Sequence, residues 1–493
     1  MSSWLADFFN FWWGLVYWNI RKSWFRSGRS RCPCQSRSDS GRAMETVCEA
    51  AAMWNRPARF QRVCPLLIQL PHGLRCSVNT EQVRPFWGRA AAYFGGAFAG
   101  LALLAVLTVF TGMRMIGYQV SLGTLAWPPA WHHLAEVRSR FFIDKARQAF
   151  AGGNPAEGLS ALTYAYSLDP ANYQAGVDLA SLLVISRQDA QADAVYAALM
   201  HDHVEQRNLT AELWFRSMIA RGSFPSIIDL SVQMLQEDAA HRGAWMQALL
   251  FGSRQANTLD PLRKLMAGPH TLPAPYYEIL EGEIAIRVGQ NPSTVPVLVK
   301  LRTELPEPFV GYYQIDRLVA LGFAKEANGL LQRYAPSLGQ ADTFALQLKV
   351  ITALGQTQPL IDQLNHDKLN DHAVELISAQ LIRHPDPLVL NALLGAVDRS
   401  NLPRNVQTKA AFDALFCACG VAGDWQHLRQ TANILKEISG GHFATLDNVE
   451  SFFRGESATM HIETVLPVLQ PLSVDVMYAL YERPQIASSL LHL

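Results

Sequence analysis

The chain has no excess charge of either sign: 42 Lys+Arg stand against 42 Asp+Glu in 493 residues. A uniformly basic nucleic-acid binder and an acidic solvating tail are thereby excluded. Charged residues make up only 17% and apolar ones 49%, which excludes wholesale disorder. Seven cysteines are too few for a disulfide-dense secreted scaffold. No HExxH, GxSxG, GxxxxGK[ST] or GxGxxG occurs, so the sequence carries none of those catalytic or nucleotide-binding signatures.

The neutrality conceals two chemically different pieces. Residues 1–89 hold 13 Lys/Arg against 5 Asp/Glu, and residues 90–493 hold 29 against 37. Between them Ala90 to Met113 form 24 positions without a charge. As a helix at about 1.5 Å per residue, that stretch crosses a hydrocarbon core of about 30 Å. Phe86 and Trp87 precede it, and Tyr118, Trp127 and Trp131 follow, at interface depth. The basic side of a span stays in the cytoplasm, so everything after the span is expected outside it, in a periplasm or an equivalent compartment. Gly96 and Gly100, three residues apart, suit close approach of two such helices and make homodimerisation an expectation.

Residues 1–20 are dense in Trp, Phe and Tyr, interrupted by Asp7, Asn10 and Asn19. They read as a helix lying in the membrane interface, with a short second span or a Trp-rich partner helix as alternatives. Residues 21–89 carry Cys32, Cys34, Cys48, Cys64 and Cys76 among interleaved arginines. Thiols in a reducing compartment make these five a candidate zinc site, although the spacing lacks paired C-x2-C knuckles. Unpaired structural cysteines and redox chemistry remain alternatives, and the arginines suit anionic membrane lipids better than nucleic acid.

Residues 114–137 contain Trp127-Pro128-Pro129-Ala130-Trp131, a stiff connector. Helical patterning starts near Glu136 and continues to the end, with the repeat domain at residues 138–493. Turn residues recur at Gly153, Arg187, Gly222, Ala256, Gly289, Gly322, Gly355, Gly423 and Gly455, spaced 34, 35, 34, 33, 33, 33, 68 and 32 apart. The doubled gap marks a unit near residue 389 that carries Pro385-Asp386-Pro387 instead. Nine positions beyond the turns stand Leu162, Tyr196, Leu265, Leu298, Leu331 and Leu364, while Ser231, Ala432 and Thr464 break the series. Ala146, Gly158, Leu162, Ala165 and Pro170 fill the small, large and turn positions of one unit, which resembles a tetratricopeptide repeat.

The expected fold is an all-α, tetratricopeptide-like solenoid of about ten helix pairs after a transmembrane helix. That resemblance implies a groove lined by the first helix of each pair, with Arg140, Arg147, Gln174, Ser181, Glu212 and Arg216 facing a protein partner. The expected function is a non-enzymatic, membrane-anchored scaffold in an envelope complex. The alternative is a transmembrane sensor coupling outside binding to the metal or thiol segment. His132-His133 and His201-Asp202-His203 are the nearest approach to metal spacing in this region. Cys417 and Cys419 point to different helix faces and read as buried small hydrophobes, while Glu278, Glu281 and Glu283 read as solvated helix surface.

Overall fold

The computed structural model describes residues 67–71, 73–76, 95–300, 306–441, 444–456, 460–469 and 471–483. It divides into two units, Met1–Phe141 and Phe142–Leu493.

In the first unit, strands β1 (Leu67–Leu70) and β2 (Gly73–Cys76) pair antiparallel, with Leu67 opposite Cys76 and Leu70 opposite Gly73. Four residues per strand are too few for an alternation to be legible in sequence. Helix α1 spans Gly96–Ile116. Its stretch Phe98–Ile116 has mean hydropathy 1.9 and no buried residue, so by length and composition it is able to cross a membrane. It ends later than the charge-free run predicts. Gly117, at φ 107°, closes it by donating to the Arg114 carbonyl at 3.0 Å. Arg114 therefore lies inside the last turn, where a cation complements the exposed carbonyls of the helix end. The connector is likewise ordered. Helix α2 (Leu122–Ala126) is capped by Ser121, and a 3-10 turn covers Pro128–Ala130. The Trp131 indole donates to the Leu125 carbonyl at 3.1 Å. Helix α3 starts at His133 rather than near Glu136 and runs to Ala151.

The second unit is an all-α solenoid of helical hairpins. Its pairs are α3 with α4 (Pro155–Leu168), α5 (Tyr173–Ile185) with α6 (Asp189–Asp202), α7 (Arg207–Ala220) with α8 (Phe224–Glu237), and α9 (Arg242–Gln255) with α10 (Asp260–Ala267). Next come α11 (Ala274–Arg287) with α12 (Pro296–Val299), α13 (Pro308–Ala320) with α14 (Ala324–Tyr334), and α15 (Gln340–Ala353) with α16 (Gln358–His366). Then follow α17 (Asp371–Arg383) with α18 (Pro387–Ser400), α19 (Lys409–Ala422) with α20 (Trp425–Ile438), and α21 (Ala444–Phe453) with α22 (Ile462–Val465). Helix α23 (Val474–Glu482) is last among the described residues.

The recurring turn residues have a common cause. Gly153, Gly222, Gly289, Gly322, Gly355, Gly423 and Gly455 adopt φ between 68° and 92°, ending a first helix in the left-handed conformation that glycine reaches without penalty. Arg187 does the same at φ 58°. In the fourth hairpin the residue is Asn257 at φ 48° rather than Ala256, because a short polar side chain tolerates that region better than alanine. The unit without glycine turns through 384–386 and starts α18 with Asp386, whose carboxylate accepts from the Leu388 and Val389 amides.

The position nine residues on is the buried seam. Leu162, Tyr196, Leu298, Leu331 and Leu364 are buried there, and so are Ser231 and Ala432, which occupy the same seam with smaller side chains. A first core gathers α3 to α6, and a second runs from Met200 to Leu480. Gly158 shows how tightly the first is built: a Cβ there would lie 2.6 Å from the Phe150 ring. Gly158→Ala is therefore expected to cost about 1–3 kcal/mol through overpacking. Thermal unfolding of the full chain reads the effect, and an unchanged midpoint would refute it.

Candidate functional site

Helix α23 packs on the face of the solenoid lined by first helices, α7, α9 and α17 among them. Val476, Met477, Tyr478, Ala479 and Leu480 are each no more than 4% exposed. The Tyr478 ring is 4.1 Å from that of Phe251 on α9, and the Tyr481 ring 5.2 Å from Phe224 at the start of α8. The Tyr481 hydroxyl donates to the Ile219 carbonyl on α7 at 2.8 Å, across 262 residues of chain. Arg383 on α17 donates to Glu482 at 2.8 Å. Burying Val476, Met477, Tyr478 and Leu480 contributes roughly 6–12 kcal/mol at 1.5–3 kcal/mol each. That is comparable with the whole stability of a domain, so α23 is a constitutive filler of the groove rather than a loose strap.

Beside α23 remains a cavity of about 390 Å³ between α9, α13, α15 and α17. Its wall is a ladder of charges at about one repeat spacing. Glu283 on α11 accepts two hydrogen bonds from Arg254 on α9, at 2.7 and 2.9 Å, and one from the Tyr313 hydroxyl at 3.0 Å. Arg317 on α13 approaches the same carboxylate at 3.4 Å. One turn away, Lys349 on α15 donates to Asp316 at 2.5 Å and to the Tyr312 hydroxyl at 3.3 Å.

Glu283 is completely buried, which corrects its expected place on a solvated face. A carboxylate survives there because neighbouring repeats stack Arg254 and Arg317 on either side of it. Burial pushes the Glu283 carboxyl up, but Arg254 first and then Arg317 outweigh it and hold the carboxyl below its ordinary range. Burial likewise opposes the ionised forms of Asp316 and Lys349. Their mutual attraction prevails, lowering Asp316 to about 2 and raising Lys349. Burial pushes the Tyr312 phenol up to about 12.

The partner-facing residues expected from sequence sit elsewhere, on α3, α5 and α7. Arg140 lies in the first unit, exposed and paired with Glu136. Arg147 pairs with Asp144 at 3.3 Å, Gln174 donates to Asp178 at 2.7 Å, and Ser181 donates to the Val177 carbonyl. Glu212 and Arg216 pair with each other at 2.8 Å. Each of these bonds stays within one helix, and none of the six residues lines the cavity.

The five cysteines expected to bind zinc are not brought together by anything described. Cys76 belongs to β2, while Cys32, Cys34, Cys48 and Cys64 lie outside the described residues, as does the aromatic segment 1–20. Among the described residues no group of three or more His, Cys, Asp or Glu could hold a metal ion. His133 bonds Glu136, and His203 bonds the Pro170 carbonyl. Cys417 and Cys419 are fully buried, and burial pushes both thiols up, Cys419 to about 12. They are buried small hydrophobes, as their spacing predicts.

The charge ladder was missed in the sequence because each member looks like ordinary helix surface. The signal that would have exposed it is charged residues recurring at about the repeat period: Arg254, Glu283 and Arg317, then Asp316, Lys349 and Arg383. No protein-family model matches the chain, and comparison with curated proteins returns no match.

Proposed function

We propose that this is a membrane-anchored, non-enzymatic scaffold whose tetratricopeptide-like solenoid binds a protein partner in an envelope complex. Helix α1 is the anchor, with the basic residues of 1–89 cytoplasmic and the solenoid outside. The five cysteines of that segment are candidate zinc ligands. Gly96 and Gly100 suit a homodimer, since a Cβ on either would meet nothing within 4 Å.

The observation that carries the reading is the contrast between the two parts of the groove. Around α9, α13 and α17 it is filled by α23. On α3, α5 and α7 the polar side chains Arg147, Gln174, Glu212 and Arg216 make their hydrogen bonds within their own helices, and Ser181 bonds its own helix and Tyr196 on α6. Exchanging such exposed intrahelical bonds for bonds to a partner costs about 0.5 kcal/mol each, so recognition is possible without disturbing the core.

A photo-crosslinking residue at Arg147 or Gln174, in the full chain in intact membranes, should give one discrete adduct. The same residue at Leu388, exposed on the second helix α18, should give none. Equal yields at all three positions, or no adduct anywhere, would sink the proposal.

A further inference from the structure

We propose that the cavity beside α23 is a binding site for a small organic monocarboxylate with an apolar or aromatic body.

The first argument is an unspent guanidinium. Arg317 lines the cavity with its side chain only 14% exposed, yet makes no hydrogen bond among the described residues; its buried Nε faces the Glu283 carboxylate without a hydrogen bond to it. Its one ion contact is Glu283 at 3.4 Å, and both oxygens of Glu283 already accept from Arg254. A mostly buried guanidinium is costly unless its fork of donors is satisfied, and a carboxylate matches that fork in plane and spacing.

The second argument is charge. Arg254, Arg317, Lys349 and Arg383 line the cavity against Asp316 and Glu482, and Glu283 behind the wall supplies a third carboxylate. Lys349 is matched by Asp316 and Arg383 by Glu482. Asp475 on α23 also acts on Arg383, so the charges of the cluster balance overall, yet two arginines share Glu283 and Arg317 has no carboxylate of its own in this partly enclosed, low-dielectric space. A bound carboxylate would supply one.

The third argument is the remainder of the wall. Phe251, Tyr312 and Tyr478 offer aromatic surface, and the Gln247 and Gln380 side-chain amides stand on the wall without hydrogen-bond partners among the described residues. A cavity of about 390 Å³ falls in the range of small-molecule sites.

The test is titration of the full chain in detergent micelles, at constant ionic strength, with benzoate, hexanoate and inorganic phosphate as probes. Saturable binding of a carboxylate probe is expected, read by calorimetry and by a rise in the unfolding midpoint. Arg317→Gln should weaken it at least about tenfold; this variant keeps both Arg254 bonds to Glu283. Ala320→Trp should also weaken it at least about tenfold, because Ala320 is exposed at the rim and the added ring occludes the opening without touching the charges. No saturable binding by either carboxylate, retention in either variant, or phosphate binding as tightly as the carboxylates would overturn the proposal.

Discussion

Ending the chain after Leu472 should unfold the solenoid from α7 onward instead of opening its groove. Helix α23 supplies five consecutive buried residues to a core that extends from Met200 to Leu480. It also joins α7, α8, α9 and α17, and the segment Leu466–Leu469 just before it touches α5 and α7 as well. In an open solenoid each repeat touches only its neighbours, so stability is a sum of local terms. Here a helix from the far end adds long-range contacts and makes those repeats depend on one another. The milder change Tyr478→Ala removes the buried ring packed against Phe251 and should cost about 3–5 kcal/mol. Far-UV circular dichroism during denaturant unfolding of the full chain measures both effects. A truncated chain with an unaltered midpoint and undiminished protease resistance would mean that α23 is a dispensable strap.

Glu283→Gln should be nearly as damaging, at about 3–5 kcal/mol, because it leaves Arg254 and Arg317 facing each other in a buried site with no charge between them. The same group sets an acid limb of stability. The folded pKa of Glu283 is depressed, as is that of Asp316, which lies at about 2. For acids depressed in this way the unfolded chain binds more protons, so stability rises with pH. Their contribution is complete above the ordinary carboxylate range of about 4 and is lost as pH falls from there towards 2. Unfolding midpoints of the full chain at pH 7 and pH 3 should thus differ more in the native protein than in Glu283→Gln. The variant keeps the parts of Asp316 and of Asp238, whose carboxyl is also held below its ordinary value. Equal pH dependence in both proteins would show that Glu283 takes no part in the acid limb.

The sequence by itself determined the repeats and the candidate span. Both depend on local chemistry. Glycine is the residue best suited to left-handed turns, so Gly153, Gly222, Gly289 and their equivalents print the hairpin period directly onto the chain. A charge-free run of 24 residues marks a helix able to cross a membrane whatever it packs against. The buried seam was half legible: Leu162 and Leu331 announced it, while Ser231 and Ala432 concealed that it continued.

Only the tertiary structure decided what fills the groove. Val474–Glu482 reads as one more amphipathic helix, and nothing local says that its neighbours are Ile219 and Phe251, more than two hundred residues earlier. Glu283 was misplaced for the same reason. Its helix shows carboxylates at Glu278, Glu281 and Glu283, and only the stacking of Arg254 and Arg317 from adjacent repeats singles out the last for burial. Local propensity specifies a turn within four residues, whereas the partner of a buried charge depends on the superhelical path that brings distant repeats together.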